Sequence, residues 1–201
     1  MQYTGCRPLS DDEYELILHA FEGKYVLRDQ AFFDLGIRTG FRISELLAVK
    51  VGDIFRDGRM LSTLTVKKSW MNGGKADQTM ALHPSASKRL HDWIVAAGFV
   101  SPEMAARPLF SRQLTARSLS RLQARSILKC AASRAGVNTD RIASHSMRKT
   151  FARNIWEPPF VDKDMAKMAR LLGHANRSNT LRYIEFLDGS LDQAVMEMSV
   201  S

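Results

Sequence analysis

Five side chains in this 201-residue sequence could together attack a phosphodiester. Tyr183 stands nine residues after His174 in the run ARLLGHANRSNTLRYIEF. Upstream, HSMRKTFA holds His145 and Arg148 three residues apart, and RTGFRISELLAV holds Arg42. Phenol is a weak nucleophile near neutral pH, because its ordinary pKa is about 10. It becomes a credible one where cations lower that pKa or stabilise the charge developing on the phosphate. Guanidinium forks match phosphate oxygens two at a time. Imidazole donates, accepts and moves protons in the physiological range.

Each residue also has a plainer reading when taken alone. Arg42 lies among apolar neighbours at a helix start and would pair with Glu45 or Asp34, since a buried arginine needs acidic or phosphate company. His145 and Arg148 share a helical face at i, i+3. With Lys149 and Arg153 they could form no more than a solvated basic face. His174 follows Gly173 and could be a helix-terminal histidine favoured by the dipole. Tyr183 could be an amphipathic core tyrosine with its hydroxyl at the rim.

The elements that must position these groups follow from pattern. Ser10-Asp11-Asp12-Glu13 is a capping box, and Tyr14, Leu16, Ile17, Leu18 and Phe21 supply the apolar face of the helix it opens. A second helix is expected from Tyr25 to Ile37, ending near Gly40. A third is expected from Ile43 to about Lys50, with Leu46, Leu47 and Val49 inward. The period then changes to two. Asp57-Gly58 is a turn signal. Leu61, Thr63, Thr65 and Lys67 alternate with Ser62, Leu64, Val66 and Lys68, predicting a small antiparallel sheet with a flexible tip at Asn72-Gly73-Gly74. Pro84 opens a helix to about Ala97, and the stretch from Gly98 to Leu114 is irregular. Helices are expected from Ser118 to Ala135 and from Ser146 to Ile155, before Pro158 and Pro159 break the chain. Asp162 to Leu172, Thr180 to Phe186 and Ser190 to Met198 are further helical pieces. The fold class expected is mainly α with a small antiparallel β-sheet (α+β).

Composition bounds the partners. Lys and Arg number 29 against 21 Asp and Glu, a formal charge of +8. That balance favours a polyanion, provided the arginines are placed for it. Arg117, Arg121 and Arg125 form one expected stripe on a helix, either a solvated face or a face lying along DNA. Cys6 and Cys130 make neither a disulfide framework nor a zinc pattern. The five histidines show no metal-ligand spacing, so neither metal nor cofactor is expected. No run of about 18 apolar residues suggests a membrane span. The N-terminus lacks the apolar core of a signal peptide, and a cytoplasmic location is expected.

Taken together, the motifs resemble the tyrosine recombinase (phage integrase) family. TGFRISELL, HSMRKTFA and LLGH followed by tyrosine stand in the family's order, and PLSDDEYELIL resembles the usual opening of its catalytic domain. The resemblance runs from Leu9 to about Phe186. It implies that Tyr183 attacks a DNA phosphodiester, leaving a 3′-phosphotyrosyl link and a free 5′-hydroxyl. Arg42 and Arg148 would hold the non-bridging oxygens, His145 would assist proton transfer, and His174 would hydrogen-bond the phosphate. The phosphotyrosyl bond conserves the energy of the bond broken, so neither ATP nor metal is required. The family's remaining catalytic group is a lysine on a β-hairpin, the general acid for the 5′-oxygen. Lys75 in the glycine-rich tip is expected to fill that role, with Lys68 as the alternative. Lys67 and Lys68, read as lying on the preceding strand, could instead contact the phosphate backbone.

The resemblance implies three segments: a short leader over 1–9, a catalytic domain over 10–187, and a tail helix over 188–201 that could exchange between protomers. It implies double-stranded DNA as partner and a homotetramer on DNA, with a monomer in solution. Lys149 departs from the histidine frequent at that position, and WEPPFVDKD lengthens one interval. The DNA-clamping N-terminal domain of most relatives is not present, which fits a one-domain recombinase or an excised catalytic fragment. Two other functions share these residues. One is a type IB topoisomerase. The other is a DNA-binding regulator that kept the fold without the activity.

Overall fold

The protein is described by a computed structural model over residues 5–70, 77–112, 116–156 and 163–173. The expected hairpin tip and the helices over 180–186 and 190–198 lie outside the described residues. The chain divides into two compact units, Met1–Phe151 and Ala152–Ser201.

The first unit is built around a helix buried on nearly every side. Helix α1 spans Asp11–His19, α2 Val26–Thr39 and α3 Ile43–Ala48. Ala31, Phe32, Phe33, Asp34, Leu35 and Ile37 of α2 are each 3 % exposed or less, so this helix is the centre of the unit rather than a surface cover. It packs on α4 (Pro84–Ala96), α1 and α3, while α5 (Arg121–Arg134) packs on α1 and α3. The Phe33 ring stacks on Tyr14 and meets Phe21, and Phe32 stands edge-on to Phe110. A buried carboxylate, Asp34, ties three helices together. It accepts from Tyr14 Oη at 2.8 Å, Arg89 Nε at 3.2 Å, Ser85 Oγ at 3.3 Å and Arg38 Nε at 3.4 Å. This many donors is what makes a buried charge tolerable.

Most expected elements are present, and their limits differ for local reasons. The Ser10 capping box forms as expected, with Ser10 Oγ accepting from Glu13 N–H and Glu13 accepting from Ser10 N–H. Leu16 is 53 % exposed and does not belong to the buried face of α1. Helix α3 stops at Ala48 rather than Lys50. Val49 C=O accepts from Leu109 N–H and Val51 N–H donates to Arg107 C=O, so this stretch is held extended by a distant segment. Val49 and Leu46 are buried, whereas Leu47 is half-buried.

The single expected sheet is two separate antiparallel ladders. Strands β1 (Phe55–Arg56) and β2 (Arg59–Met60) are joined by Asp57 and Gly58, whose φ of 51° and 72° suit a tight hairpin turn. Strands β3 (Thr63–Val66) and β4 (Gln78–Ala81) pair Thr63 with Ala81 and Val66 with Gln78. Leu64 and Val66 point into the core, as the alternation implies. Lys67 and Lys68 lie beyond the end of β3, not on it. Lys68 opens a short 3-10 turn to Trp70, and its N–H donates to Asp77 Oδ1 at 2.8 Å.

Helix α5 begins at Arg121, not Ser118. Ser118 forms a bridge to Ser111 and its hydroxyl donates to Leu47 C=O, leaving Ser120 to cap the helix with Gln123. Within the irregular stretch after Gly98, Pro102–Ala106 forms a 3-10 turn. Helix α6, Ser144–Trp156, begins earlier than expected. In the second unit, Asp164 caps α7 (Met165–Leu171) by accepting from Ala166 and Lys167 N–H. None of the helices is long and apolar enough to cross a membrane among the described residues.

Candidate active site

Arg42 stands at the N-cap of α3, two residues past the turn that ends α2. Gly40 makes that turn with φ of 64°, a left-handed conformation that glycine takes without penalty. Its freedom matters twice, because a Cβ there would also strike the Phe151 ring, with Cγ at 2.8 Å. One turn earlier, a Cβ on Gly36 would meet Met147 Sδ at 2.7 Å. Gly36 on α2 and Gly40 at its C-cap therefore receive Met147 and Phe151 of α6, each pair spaced i, i+4. Arg148 lies between those two knobs and donates from Nη1 to Gly40 C=O at 2.6 Å.

This packing delivers Arg148 to the neighbourhood of Arg42. Arg148 is only 2 % exposed, so it does not belong to a solvated basic face. Lys149 is also buried. The plainer pairing considered for Arg42 is present as well: Nη1 donates to Glu45 Oε1 at 2.8 Å, and its own N–H donates to Glu45 Oε2 at 2.6 Å. Glu45 is fully buried while the Arg42 side chain keeps 25 % of its surface. Pairing and phosphate binding are compatible, because a guanidinium has five N–H donors and Glu45 occupies one edge. Asp34, the other partner considered, is committed to Tyr14, Arg38, Ser85 and Arg89 instead.

His145 sits in the first turn of α6 and is exposed. Desolvation of its ring, then the charges of Arg148, Arg42 and Lys149, push its pKa below the ordinary histidine value. The shift favours the neutral imidazole, the form that can accept a proton. The same interactions place three cations close enough for one ring to feel them. A cluster with one exposed imidazole, one half-buried guanidinium and one buried guanidinium is suited to an oxyanion carrying several acceptor oxygens. Among the described residues, no three His, Cys, Asp or Glu side chains converge to hold a metal ion.

The remaining expected site residues divide into two sets. Lys75, His174 and Tyr183 lie outside the described residues. Lys67, Lys68, Arg117, Arg121 and Arg125 are exposed, and the three arginines do not all lie on one helix. Arg121 and Arg125 lie one turn apart on α5, whereas Arg117 precedes the Ser120 cap. Lys67 Nζ lies 5.8 Å from the Trp70 ring centroid. Two participants carry no chemical signature in the sequence. The Gly40 carbonyl acts through its backbone, and only the TG preceding Arg42 hints at a close turn. Glu45 was legible only as a competing partner for Arg42.

Known proteins resemble this chain in sequence and in fold. A sequence model described as the phage integrase family matches residues 7–189. The chain is similar to the probable integrase/recombinase YoeC of Bacillus subtilis (strain 168), 28 % identical over 158 residues, 78 % of this chain and 77 % of YoeC. It is similar to the tyrosine recombinase XerC of Myxococcus xanthus, 27 % identical over 175 residues, 83 % of this chain and 53 % of XerC. The chain therefore spans about half the length of that XerC. In fold it is similar to the XerH site-specific recombinase, solved bound to a palindromic difH substrate as a post-cleavage complex. The TM-score is 0.72 at 20 % identity, covering 95 % of this chain and 53 % of XerH.

Proposed function

Because the chain belongs to the phage integrase family, we propose that it breaks and rejoins double-stranded DNA as a site-specific tyrosine recombinase. The Tyr183 oxygen attacks the scissile phosphorus and displaces the 5′-oxygen, leaving a 3′-phosphotyrosyl link. Arg42 and Arg148 hold the non-bridging oxygens as charge gathers on them. His145 takes part in proton transfer at the nucleophile, and His174 donates a hydrogen bond to the phosphate. Lys75 protonates the departing 5′-oxygen, with Lys68 as the alternative donor. A second strand's 5′-hydroxyl then attacks the phosphotyrosine, restoring the phosphodiester and releasing Tyr183. Bond energy is conserved throughout, so the reaction needs no nucleotide cofactor.

The observation that carries this reading is the grouping of Arg42 and Arg148 around His145. Gly40 C=O accepts from Arg148 only two residues before Arg42, and both guanidinium charges act on the His145 ring. An oxyanion with several free oxygens fits such a cluster, and a DNA phosphate supplies one. The catalytic domain is assigned to residues 10–187, preceded by 1–9 and followed by a tail over 188–201 that exchanges between protomers. On DNA the working assembly is a homotetramer.

The test uses nicked duplexes taken from repeats in the DNA flanking the gene. The nick lets the short 5′-hydroxyl strand diffuse away, which traps the covalent intermediate. Wild-type protein is expected to give a protein–DNA adduct stable in denaturing gels, and Tyr183→Phe none. Equal adduct from the two proteins, or none from wild type on any such duplex, would overturn the assignment.

A further inference from the structure

Lys149 is 5 % exposed, an unusual burial for an ammonium group, which is strongly hydrated and costly to desolvate. It donates from Nζ to Cys6 C=O at 2.6 Å. That bond is one of several fastening residues 5–9 to the chain around the start of α6. Leu9, fully buried, donates from N–H to Thr150 Oγ1 at 2.9 Å. Arg7 N–H donates to Arg141 C=O at 2.9 Å. Arg141 Nε in turn donates to Gly5 C=O at 2.9 Å. Arg7 also grips Glu13 with both guanidinium nitrogens at 2.6 Å and reaches Asn138 C=O at 3.1 Å. The segment is thus a strap across the turn of helix that carries His145 and Arg148.

We infer that Lys149 is a positioning residue that pins the strap Gly5–Leu9 to α6 and thereby sets His145 and Arg148 against the phosphate. The inference rests on the recombinase reading for its catalytic consequence but not for the pin itself. Three features support it. Lys149 adjoins Arg148 in sequence, so a shift of its backbone moves the phosphate-binding guanidinium directly. Thr150, the next residue, closes the same strap while its hydroxyl donates to Ser146 C=O at 2.8 Å. Lys149 also places its charge near the His145 ring. Among the described residues, the charged groups acting on that ring are Arg148 and Lys149 from α6 and Arg42 from α3.

The experiment compares the full-length wild type with Lys149→Met, Lys149→Gln, Lys149→Arg and Thr150→Val, each checked for folding by circular dichroism. Amide exchange over residues 5–10 is expected to quicken on the order of tenfold in Lys149→Met, the scale of a lost bond to a charged donor. Lys149→Arg should restore part of the protection. The His145 titration midpoint, followed by NMR, should rise in Lys149→Met and stay near wild type in Lys149→Arg. Covalent adduct formation at saturating DNA should slow on the order of tenfold in Lys149→Met while DNA affinity holds within about twofold. If Lys149→Met fails to fold, Thr150→Val carries the exchange and adduct tests and Lys149→Gln the titration. Unchanged exchange, or a loosened strap with unchanged adduct rate and His145 titration, overturns the inference. A wild type that forms no adduct sinks the recombinase reading alone, and the pin is then decided by exchange and titration.

Discussion

His145 shows how far a single residue's chemistry depends on its surroundings. Its ring is held below the ordinary histidine pKa by desolvation and by Arg148, Arg42 and Lys149. If it serves as a proton acceptor, activity should rise with pH along an acid limb lying below the usual value of about 6.5. The limb is read from adduct rates at saturating DNA across pH, and His145→Gln should flatten it. Folding stability carries the same sign. In the window between the lowered and the ordinary value, the unfolded chain binds a proton that the folded ring resists. Stability therefore falls as pH drops through that window and levels off below it. Urea titrations of wild type and His145→Gln at several pH values should show the variant losing less stability on acidification. Identical pH slopes in the two proteins would show that folding does not lower the pKa of the ring.

At the scale of elements, the approach of α6 to α2 is what joins the two halves of the cluster. Gly36 and Gly40 clear the space for Met147 and Phe151, and Arg148 uses the opening to reach Gly40 C=O. Gly40→Ala meets two costs at once. An alanine in the left-handed region is disfavoured by about 1–2 kcal/mol, and its methyl must displace the Phe151 ring. With that penalty in a chain of this length, the melting temperature should drop by about 2–8 °C. Calorimetry checks the drop. Adduct formation should fall further than the folded fraction accounts for, since Arg148 loses its seat. An alanine variant with wild-type melting and wild-type adduct rate would remove the glycine contact from the account. The Asp34 node is the counterpart on the other side of α2. It fixes α1 and α4 to the same helix, and its charge together with burial pushes the Tyr14 hydroxyl up to about 12, desolvation being the larger cause.

For the whole molecule, the excess of basic residues becomes meaningful through its placement. Arg121 and Arg125 project from the exposed side of α5, one turn apart and with neither of them buried. If both neutralise phosphates, binding should weaken linearly in log salt, each contact adding about 0.9 to the slope on duplex DNA. The double variant Arg121→Ala, Arg125→Ala should lower the slope by roughly 2 while cutting affinity at low salt. Filter binding or anisotropy over a salt series measures it. An unchanged slope would return both residues to a solvated face. Arg117 belongs to a separate test, because it precedes the helix and need not follow the same groove.

A candidate site, not its chemistry, was legible in residue types and spacing. Arg42, His145 and Arg148 were named through the family that their short motifs resemble, since residue type and spacing alone left each with a plainer structural reading. The capping box at Ser10, the Asp57-Gly58 turn and the alternation through β3 were readable because they are local properties. Limits were lost where distant chain segments intervened: Leu109 and Arg107 hold Val49 and Val51 extended, and Ser118 is drawn to Ser111 and Leu47 before α5 can begin. By itself the sequence determined which groups could act on a phosphate, and in what order they occur. Only the tertiary structure decided that Arg148 is buried against Gly40 C=O, that Arg42 shares its guanidinium with Glu45, and that Lys149 is turned inward onto Cys6 C=O. Those outcomes depend on close approach between segments far apart in the chain, set by glycine clearance, desolvation and buried carbonyls, none of which has a local signature.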